Sequence, residues 1–441
     1  MSRMRRAQFL RMGAAAVASG TLLACGGPAA GTGTPAAGGQ GPAAPAKRPV
    51  TVLVDNDWTE GDRYTVVQAW LARANKVYPH IKTELRDNAA SQDKTLALFA
   101  TGDEGDLYQL DQHVVPVFGP KGVLQDITPT LASLKFDLNS VYDVPNITQW
   151  NGKRHGLMIQ LQTFTTIYNV DAFQKIGLKA PGADWTWDDW LDAARKLNQP
   201  LEATPQWGTT LSGEPYHMFW SADAPYLNQS GTMAQWDSPA CRAVVQWMVD
   251  LTQRHRVTPT PAEATEKKLN FNNGNYAINP YAQPSPGITK AVDGKFQWDV
   301  LPPAKHPRTG KGIILVGGHN YLVTARANKR GVLTEATQVL TELFHPEIQE
   351  LYNSGLNLGS LPALKSVAAK TGEMPGMPKN FKSVLDAIPT GRNFEKVVGF
   401  LDFHRAWLPE FQKALNGLAT VEQAVADMTR ASNAALAQAA R

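Results

Sequence analysis

The chain has 441 residues, which at roughly 150 residues per domain predicts two or three domains. Apolar residues make up 43% of the chain and charged residues 19%, which excludes a chain that is disordered throughout. The formal charge of +4 arises from four arginines within residues 1–24, so the rest of the chain is neutral. It therefore lacks the basic face that nucleic-acid binding requires.

The N-terminal residues predict an export signal rather than a part of the fold. A basic head precedes a short alanine-rich apolar stretch ending in small residues, which is typical of a signal peptide over residues 1–24. The sequence LLAC at 22–25 resembles a bacterial lipobox, which implies that Cys25 becomes the first mature residue and carries lipid. A plain signal peptide with an incidental cysteine is the alternative. The arginine pair at 5–6 resembles a twin-arginine signal, and both that route and general secretion stay open.

The segment after the signal predicts a flexible tether. Glycine, proline, alanine and threonine dominate residues 25–47, which cannot bury enough apolar surface to fold. No later stretch reaches the roughly 18 consecutive apolar residues of a membrane-spanning helix. These features predict a protein held by its N-terminal lipid alone at the outer face of the cell membrane, on the periplasmic or extracellular side.

Strand and helix patterns alternate at the start of the folded part. Short apolar runs at 49–54, 80–85 and 106–110 predict strands, and apolar residues at helical spacing predict helices over 62–78 and 91–100. This βαβαβ order predicts a mostly parallel sheet with helices on both of its faces.

Further amphipathic helices are predicted along the rest of the chain. Thr186 and Asp189 form a capping-box pattern before a helix that runs to about Leu197. The other predicted helices span 240–253, 331–343 and 406–415.

Motifs for catalysis and for cofactors are missing from the sequence. It contains no G-x-S-x-G elbow, no HExxH, no P-loop and no GxGxxG after a strand, and its nine histidines lack ligand spacing. Cys241 lies in an amphipathic stretch and is predicted to be a buried, inert thiol. The sequence therefore predicts no catalytic residue, no metal and no cofactor. A glycoside hydrolase stays open, because its two carboxylates come from distant segments.

The aromatic content points to a different kind of site. The chain has 12 Trp, 11 Tyr and 15 Phe, and several of them, such as Trp58, Trp220 and Tyr281, lie beside polar residues in predicted loops. A sugar offers C–H faces on which rings stack and hydroxyls that bind carboxylates and amides. The pattern indicates a carbohydrate-binding cleft, although each single ring has core packing as its alternative.

Several segments resemble one known family. The sequence YNVDAFQKIGL at 168–178, followed by TWDDW at 186–190, is similar to a segment of the family 1 extracellular solute-binding proteins, which serve ABC importers of sugars. Four more segments match motifs of this family, in the family's order: NGKRHGL at 151–157, FNNGNYAI at 271–278, GGHNYLV at 317–323 and TELFHPEIQ at 341–349.

The resemblance implies a fold and a function. The fold is α/β, the bilobal type II periplasmic-binding-protein fold, in which a hinge joins two α/β lobes with the ligand cleft between them. Lobe 1 is expected at 48–162 plus 317–365, and lobe 2 at 163–316 plus 366–441. The implied function is that of a non-enzymatic, monomeric binding protein that captures a carbohydrate, with an oligosaccharide as the expected form, and delivers it to an ABC transporter permease.

The resemblance also implies binding residues. The EPY pattern at 214–216 gives Glu214 as an acceptor and Tyr216 as a stacking ring, while Tyr281 takes a second stacking position and Gln162 replaces a carboxylate by an amide. The full predicted set comprises strand ends, hinge crossings and aromatic loops: Trp58, Asp111, Gln112, His113, Gln162, Glu214, Tyr216, Trp220, Tyr281, Gly318, His319 and Arg392.

Three alternatives remain at this point. The same fold serves ligands such as a polyamine, a phosphodiester, a peptide or a metal chelate, and the neutral charge decides between none of them. A surface-anchored glycoside hydrolase is the second alternative. A sensory protein that presents its bound ligand to a receptor is the third.

Overall fold

The structure is a computed structural model, and the residues it describes are 48–88, 92–110, 115–201, 205–211, 215–354 and 358–439. The predicted export signal, the tether and Cys25 lie outside these residues. None of the helices within them combines the length and the apolar character that crossing a bilayer requires.

The strands formed by the described residues are numbered here in chain order. They are β1 Val50–Asn56, β2 Ile81–Asp87, β3 Leu107–Leu110, β4 Gln149–Trp150, β5 Lys153–Arg154, β6 Gly156–Met158, β7 Gln160–Asn169, β8 Trp207–Thr209, β9 Tyr276–Ala282, β10 Trp298–Leu301, β11 Leu315–Gly317, β12 Asn320–Val323 and β13 Leu361–Pro362.

The α-helices formed by the same residues follow the same convention. They are α1 Gly61–Val77, α2 Gln92–Thr101, α3 Val115–Phe118, α4 Thr128–Ser133, α5 Pro145–Thr148, α6 Val170–Lys175, α7 Trp187–Leu197, α8 Tyr216–Ser221, α9 Pro239–Gln253, α10 Pro261–Glu266, α11 Pro286–Val292, α12 Ala325–Lys329, α13 Leu333–Glu342, α14 Pro346–Gln349, α15 Lys365–Ala368, α16 Lys382–Ala387, α17 Phe400–Leu415 and α18 Val421–Ala439.

The first sheet has the strand order β2-β1-β3-β12-β6. Strand β1 pairs in parallel with β2 and β3, as the βαβαβ pattern predicts, and β12 pairs antiparallel with β3 and β6. Helices α1 and α13 pack on this sheet, where Trp70 is fully buried and its indole Nε1 donates to the carbonyl of Val339 at 2.6 Å. This bond satisfies the polar atom of a ring that otherwise contributes apolar burial.

The second sheet is mostly antiparallel. Its order is β10-β7-β9-β8, with β11 and β13 also paired to β7. The strands β9, β10, β11 and β13 all pair with β7 in antiparallel orientation. The parallel pair in this sheet is β8 with β9. The sequence predicted no directions for these strands, because the long strand β7 pairs with segments far along the chain and local patterning carries no information on their direction.

Stacked rings fill the core beside the second sheet. Tyr226 and Trp236 lie 4.8 Å apart with an interplanar angle of 8°, and Trp407 packs on Trp236 at 4.9 Å. Helices α9, α17 and α18 enclose this core. Much of the aromatic content that indicated a sugar cleft therefore serves packing.

Local predictions and structure agree closely where caps are strong. The capping box of α7 is present, since Asp189 N donates to Thr186 Oγ1 and Thr186 N donates to Asp189 Oδ2. The helix predicted at 406–415 begins earlier, at Phe400, because polar residues in its first turns interrupt the apolar pattern.

The chain passes between the two sheets at three places. It leaves β6 for β7 at 158–160 and leaves β11 for β12 at 317–320. The third place is the segment 358–381, because Leu361 and Phe381 lie in the core below the second sheet while Ala363 and Leu364 lie in the core of the first. These crossings form the connection between the two sheets, and the lobe limits at Gln162 and Gly317 stay predictions beside them.

Candidate functional site

The candidate site begins at one edge of the first sheet. Because β1 and β3 are parallel, their carboxyl ends meet at the same edge, and the antiparallel β12 starts there. This edge is where α/β folds place their ligands. Trp58 follows β1 by two residues and His319 immediately precedes β12, so the fold brings together two predicted residues that lie far apart in the sequence.

Trp58 and His319 form a contact that several polar groups hold in place. Their ring centroids are 5.1 Å apart in an edge-on arrangement, and the guanidinium of Arg63 lies 5.1 Å above the Trp58 ring. Gln109 Nε2 lies 3.2 Å from His319 Nδ1. With the amide as donor, His319 Nδ1 accepts this hydrogen bond.

Buried hydrogen bonds hold the loop that carries Trp58. Asn56 Nδ2 donates to the Trp58 carbonyl at 2.7 Å, and the hydroxyl of Tyr321 donates to Asn56 Oδ1 at 2.7 Å. Tyr321 and Asn56 are both fully buried, and Trp58 is 8% exposed. The backbone at Trp58 is therefore held by a buried hydrogen-bond chain.

The predicted hinge residues Gln162, Gly318 and His319 lie next to one another. Gln162 on β7 is directly opposite Gly317 on β11, and Ile159 N donates to the His319 carbonyl at 3.0 Å. Gly318 is required by this packing, because a Cβ there would lie 2.0 Å from the Gln160 carbonyl oxygen.

Beyond the hinge, rings continue along the second sheet. Phe164 follows Gln162 by two residues, so both side chains are on the same face of β7. The Tyr281 ring stacks on Phe164 at 4.5 Å, and the His217 ring stacks on Tyr281 at 5.9 Å. We call Phe164, Tyr281 and His217 the ring row. The sequence analysis did not propose Phe164 or His217. Phe164 could have been found from the two-residue period of the strand, which places it on the same face as Gln162.

A cavity of about 830 Å³ adjoins the ring row. It lies at the carboxyl ends of the parallel strands β8 and β9, and Thr210, Tyr281, Gln283 and His404 are among its walls. Small-molecule sites commonly enclose roughly 300–1,000 Å³. Tyr281 thus belongs to both the ring row and the wall of a ligand-sized cavity.

Two predicted aromatic residues are occupied by protein contacts. Tyr216 is fully buried, and its hydroxyl is 2.8 Å from both His404 Nδ1 and Trp407 Nε1. The Trp220 ring lies between Tyr216, at 6.1 Å, and the guanidinium of Arg392, at 5.4 Å. Stacking of a ligand on either ring would require these neighbours to move.

Arg392 lies beside a carboxyl group that the sequence did not reveal. Glu395 Oε1 accepts from Trp220 Nε1 at 3.0 Å and lies 3.4 Å from Arg392 Nη2. Burial raises the pKa of Glu395 to about 7, against the smaller opposing effect of its hydrogen bonds.

The other predicted site residues, Asp111, Gln112, His113 and Glu214, lie outside the described residues. Within the described part of the chain, no group of His, Cys, Asp and Glu is arranged to hold a metal ion. Cys241 is fully buried, as predicted, and burial raises the pKa of its thiol to about 11, which keeps it protonated and unreactive near neutral pH.

Comparison with known proteins identifies the class. The sequence profile of the family described as bacterial extracellular solute-binding protein matches residues 57–350. The chain belongs to this family, whose members work outside the cytoplasm and bind solutes without transforming them. This confirms the resemblance, and it gives the hydrolase alternative no support.

Solved structures of similar fold support the same assignment. An ABC substrate-binding protein from Listeria monocytogenes in complex with cycloalternan has a TM-score of 0.72 at 22% identity, over 89% of this chain and 100% of its own. The cyclic alpha-maltosyl-1,6-maltose binding protein from Arthrobacter globiformis gives 0.71 at 20%, over 88% and 100%. UgpB from Mycobacterium tuberculosis, in complex with glycerophosphocholine, gives 0.69 at 16%, over 89% and 100%. The chain thus has the bilobal type II periplasmic-binding-protein fold.

Proposed function

We propose that the protein captures a neutral oligosaccharide outside the cytoplasm and delivers it to the permease of an ABC importer. The observation that carries this proposal is the ring row beside the hinge, where Tyr281 also lines the 830 Å³ cavity. Rings of this kind suit the C–H faces of a sugar. Similar proteins whose structures hold cycloalternan and maltose support a carbohydrate as the ligand class.

The polar groups at the hinge suit hydroxyls better than charges. Gln162 offers an amide and His319 an imidazole, and the guanidinium of Arg63 lies over the Trp58 ring. A polyamine would need several acids, and this guanidinium disfavours it. The amide and the imidazole suit the hydroxyls of a polyhydroxylated ligand.

The proposed mechanism is capture by closure. A ligand that contacts Trp58 and His319 at the first sheet and the ring row at the second stabilises the conformation in which both are within reach. The three crossing segments, 158–160, 317–320 and 358–381, are those about which the sheets would rotate. The permease then recognises the closed form, and the solute leaves chemically unchanged.

The anchor belongs to the same proposal. Lipid on Cys25 and the tether over 25–47 would keep a monomeric binding protein near its permease while it works in water. Either the twin-arginine or the general export route would deliver the chain to this location. If Cys25 carries lipid, globomycin should block cleavage of the export signal, and Cys25→Ser should abolish this sensitivity.

Isothermal titration calorimetry of the full chain tests the ligand class. The panel comprises maltotriose, cycloalternan, glycerophosphocholine, spermidine and a tripeptide. We expect a micromolar dissociation constant for a sugar, about −8 kcal/mol, and no heat from the other solutes. Chromatography of the recovered sugar should show it intact. Binding of a non-sugar solute alone would refute the carbohydrate assignment, and release of cleaved sugar would refute a binding protein.

A matched pair of variants tests the site. Tyr281→Ala removes the ring that links the ring row to the cavity, and we expect at least a tenfold loss of sugar affinity with little change in melting temperature. Trp298→Ala is the control, because Trp298 is a half-buried ring on β10, across the same sheet. Equal affinity in wild type and Tyr281→Ala would remove the ring row from the site.

A further inference from the structure

Three buried amide side chains lie beneath the sheet edge that carries Trp58 and His319. Asn56 is the last residue of β1, Asn88 follows β2 and Gln109 lies on β3. Their exposed fractions are 0%, 4% and 2%. Because they are buried, any influence they have on a solute must pass through other residues.

Hydrogen bonds join these amides into a closed circuit. Asn88 N donates to the Asn56 carbonyl at 3.2 Å, and Asn88 Nδ2 donates to the Gln109 carbonyl at 3.1 Å. Tyr321 lies directly opposite Gln109 in the pairing of β3 with β12, and its hydroxyl donates to Asn56 Oδ1 at 2.7 Å. We call Asn56, Asn88, Gln109 and Tyr321 the amide circuit. It ties four neighbouring chain segments together at one edge of the first sheet.

Two further contacts lead from the amide circuit to the site. Asn56 Nδ2 donates to the Trp58 carbonyl at 2.7 Å, and Gln109 Nε2 lies 3.2 Å from His319 Nδ1. The His319 ring in turn meets the Trp58 ring edge-on, with 5.1 Å between the centroids. The circuit therefore reaches Trp58 twice, at its backbone through Asn56 and at its indole through His319.

The amide circuit has the properties of a rigid network. Within the described part of the chain, none of its four members has a buried side-chain atom that lacks a hydrogen-bond partner. A buried polar network in which every member is bonded resists rearrangement, because each broken bond leaves a polar atom without water or partner. A binding side chain that is held beforehand need not be ordered by its ligand, which favours affinity.

Another amide on the same sheet shows what a purely structural role looks like. Asn75 of α1 donates from Nδ2 to Thr83 Oγ1 and accepts from Thr83 N, both at 3.0 Å. These bonds fasten α1 to β2 and serve packing. The amide circuit differs because the contacts that leave it end on two residues of the candidate site.

We propose that Asn56, Gln109 and Tyr321 are positioning residues that hold Trp58 and His319 in their solute-binding arrangement before the solute arrives. The first sheet then carries a preformed half of the site, and closure brings the second sheet to it. This inference rests on the proposed function, since it concerns how the same site is prepared for its solute.

Fluorine NMR of the solute-free full chain, with 5-fluorotryptophan at its 12 tryptophans, tests the positioning directly. Trp58→Phe identifies the Trp58 line, which we expect to be single and narrow in the wild type. Tyr321→Phe removes the hydroxyl that bonds Asn56, and Gln109→Met removes the amide that contacts His319. Each should shift or broaden the Trp58 line, and each should weaken maltotriose binding in calorimetry by about three- to tenfold.

Asn75→Ala is the matched control, because it removes two hydrogen bonds on the same sheet that do not lead to the site. It should lower the melting temperature, leave the Trp58 line in place and change the maltotriose affinity less than twofold. The proposal fails if Tyr321→Phe and Gln109→Met both leave the Trp58 line, or the affinity of a chain that binds maltotriose, unchanged. It also fails if Asn75→Ala changes both as much as they do. The fluorine measurement needs no solute, so a wild type that binds no sugar would contradict the proposed function while the positioning is still tested.

Discussion

Replacing Gly318 by alanine should disturb the hinge more than any exposed glycine. The added Cβ would lie 2.0 Å from the Gln160 carbonyl oxygen and 3.1 Å from both Cγ and Sδ of Met158. The Met158 side chain has some freedom to move, but the Gln160 carbonyl belongs to the backbone of β7, which β13 holds through Pro362 opposite Gln160. Relief of the contact therefore requires the crossing strands to separate by more than an ångström.

The energetic cost follows from this geometry. Overpacking a close contact typically costs about 1–3 kcal/mol, and the upper end applies where backbone rather than a side-chain end must yield. The separation would also strain the hydrogen bond from Ile159 N to the His319 carbonyl, now 3.0 Å long. We expect Gly318→Ala to lose about 2–3 kcal/mol of unfolding free energy, together with part of the ligand affinity.

Urea unfolding with Gly182→Ala as control measures this effect. Gly182 is exposed, has an ordinary backbone conformation and would place its Cβ more than 4 Å from other atoms. Its replacement should leave stability unchanged or raise it by about 0.4–1 kcal/mol. If Gly318→Ala unfolds at the wild-type urea concentration with the wild-type slope, the close approach of the two crossing strands is not a constraint and the argument is wrong.

Two further predictions concern stability. The Gln160 side chain is fully buried and neither of its polar atoms has a partner among the described residues, so Gln160→Met should raise the unfolding free energy by about 1–2 kcal/mol. A fall in its melting temperature would contradict this. The hydrogen bond from Arg256, helped by Thr260 N, lowers the pKa of Glu263 to about 2, below its value of roughly 4.3 in an unfolded chain. The stabilisation is thus complete above about pH 5 and lost as the pH falls towards 2. Glu263→Gln should cost about 1–2 kcal/mol at pH 7 after allowance for screening and about a quarter of that at pH 2.5, as urea titrations at both pH values would show; an equal cost at both would refute the linkage.

The elements that sequence reasoning placed well are those with strong local signals. Helix α7 begins where its Thr186 capping box predicts, and the first strands and helices lie within a few residues of their predicted limits. The strand directions in the second sheet could not be predicted from the sequence, because β7 pairs with β11 and β13, which follow more than 140 residues later. Such pairings depend on tertiary packing that no local window contains.

The candidate site shows the same division. Trp58 and His319 were proposed from separate motifs, and the fold places their rings 5.1 Å apart. For Tyr216 the sequence context suits a binding ring, yet its hydroxyl contacts His404, which lies 188 residues away. Glu395 carried no motif at all, since its importance comes from burial and from Trp220, a partner on a distant helix. Aromatic residues beside polar ones look alike in a core and in a cleft until the partners are known.

Under the proposed function, the position of His319 would link ligand contact to hinge movement. Its side chain contacts Trp58 and Gln109 at the first sheet, while its carbonyl accepts from Ile159 on the neighbouring crossing. Since Gly318 leaves no space for a Cβ against that neighbour, the crossings at 158–160 and 317–320 are in backbone contact and must rotate together. If the solute contacts His319 as proposed, it acts on a segment that belongs to both the proposed site and the hinge, and no longer pathway would be needed to couple capture to closure.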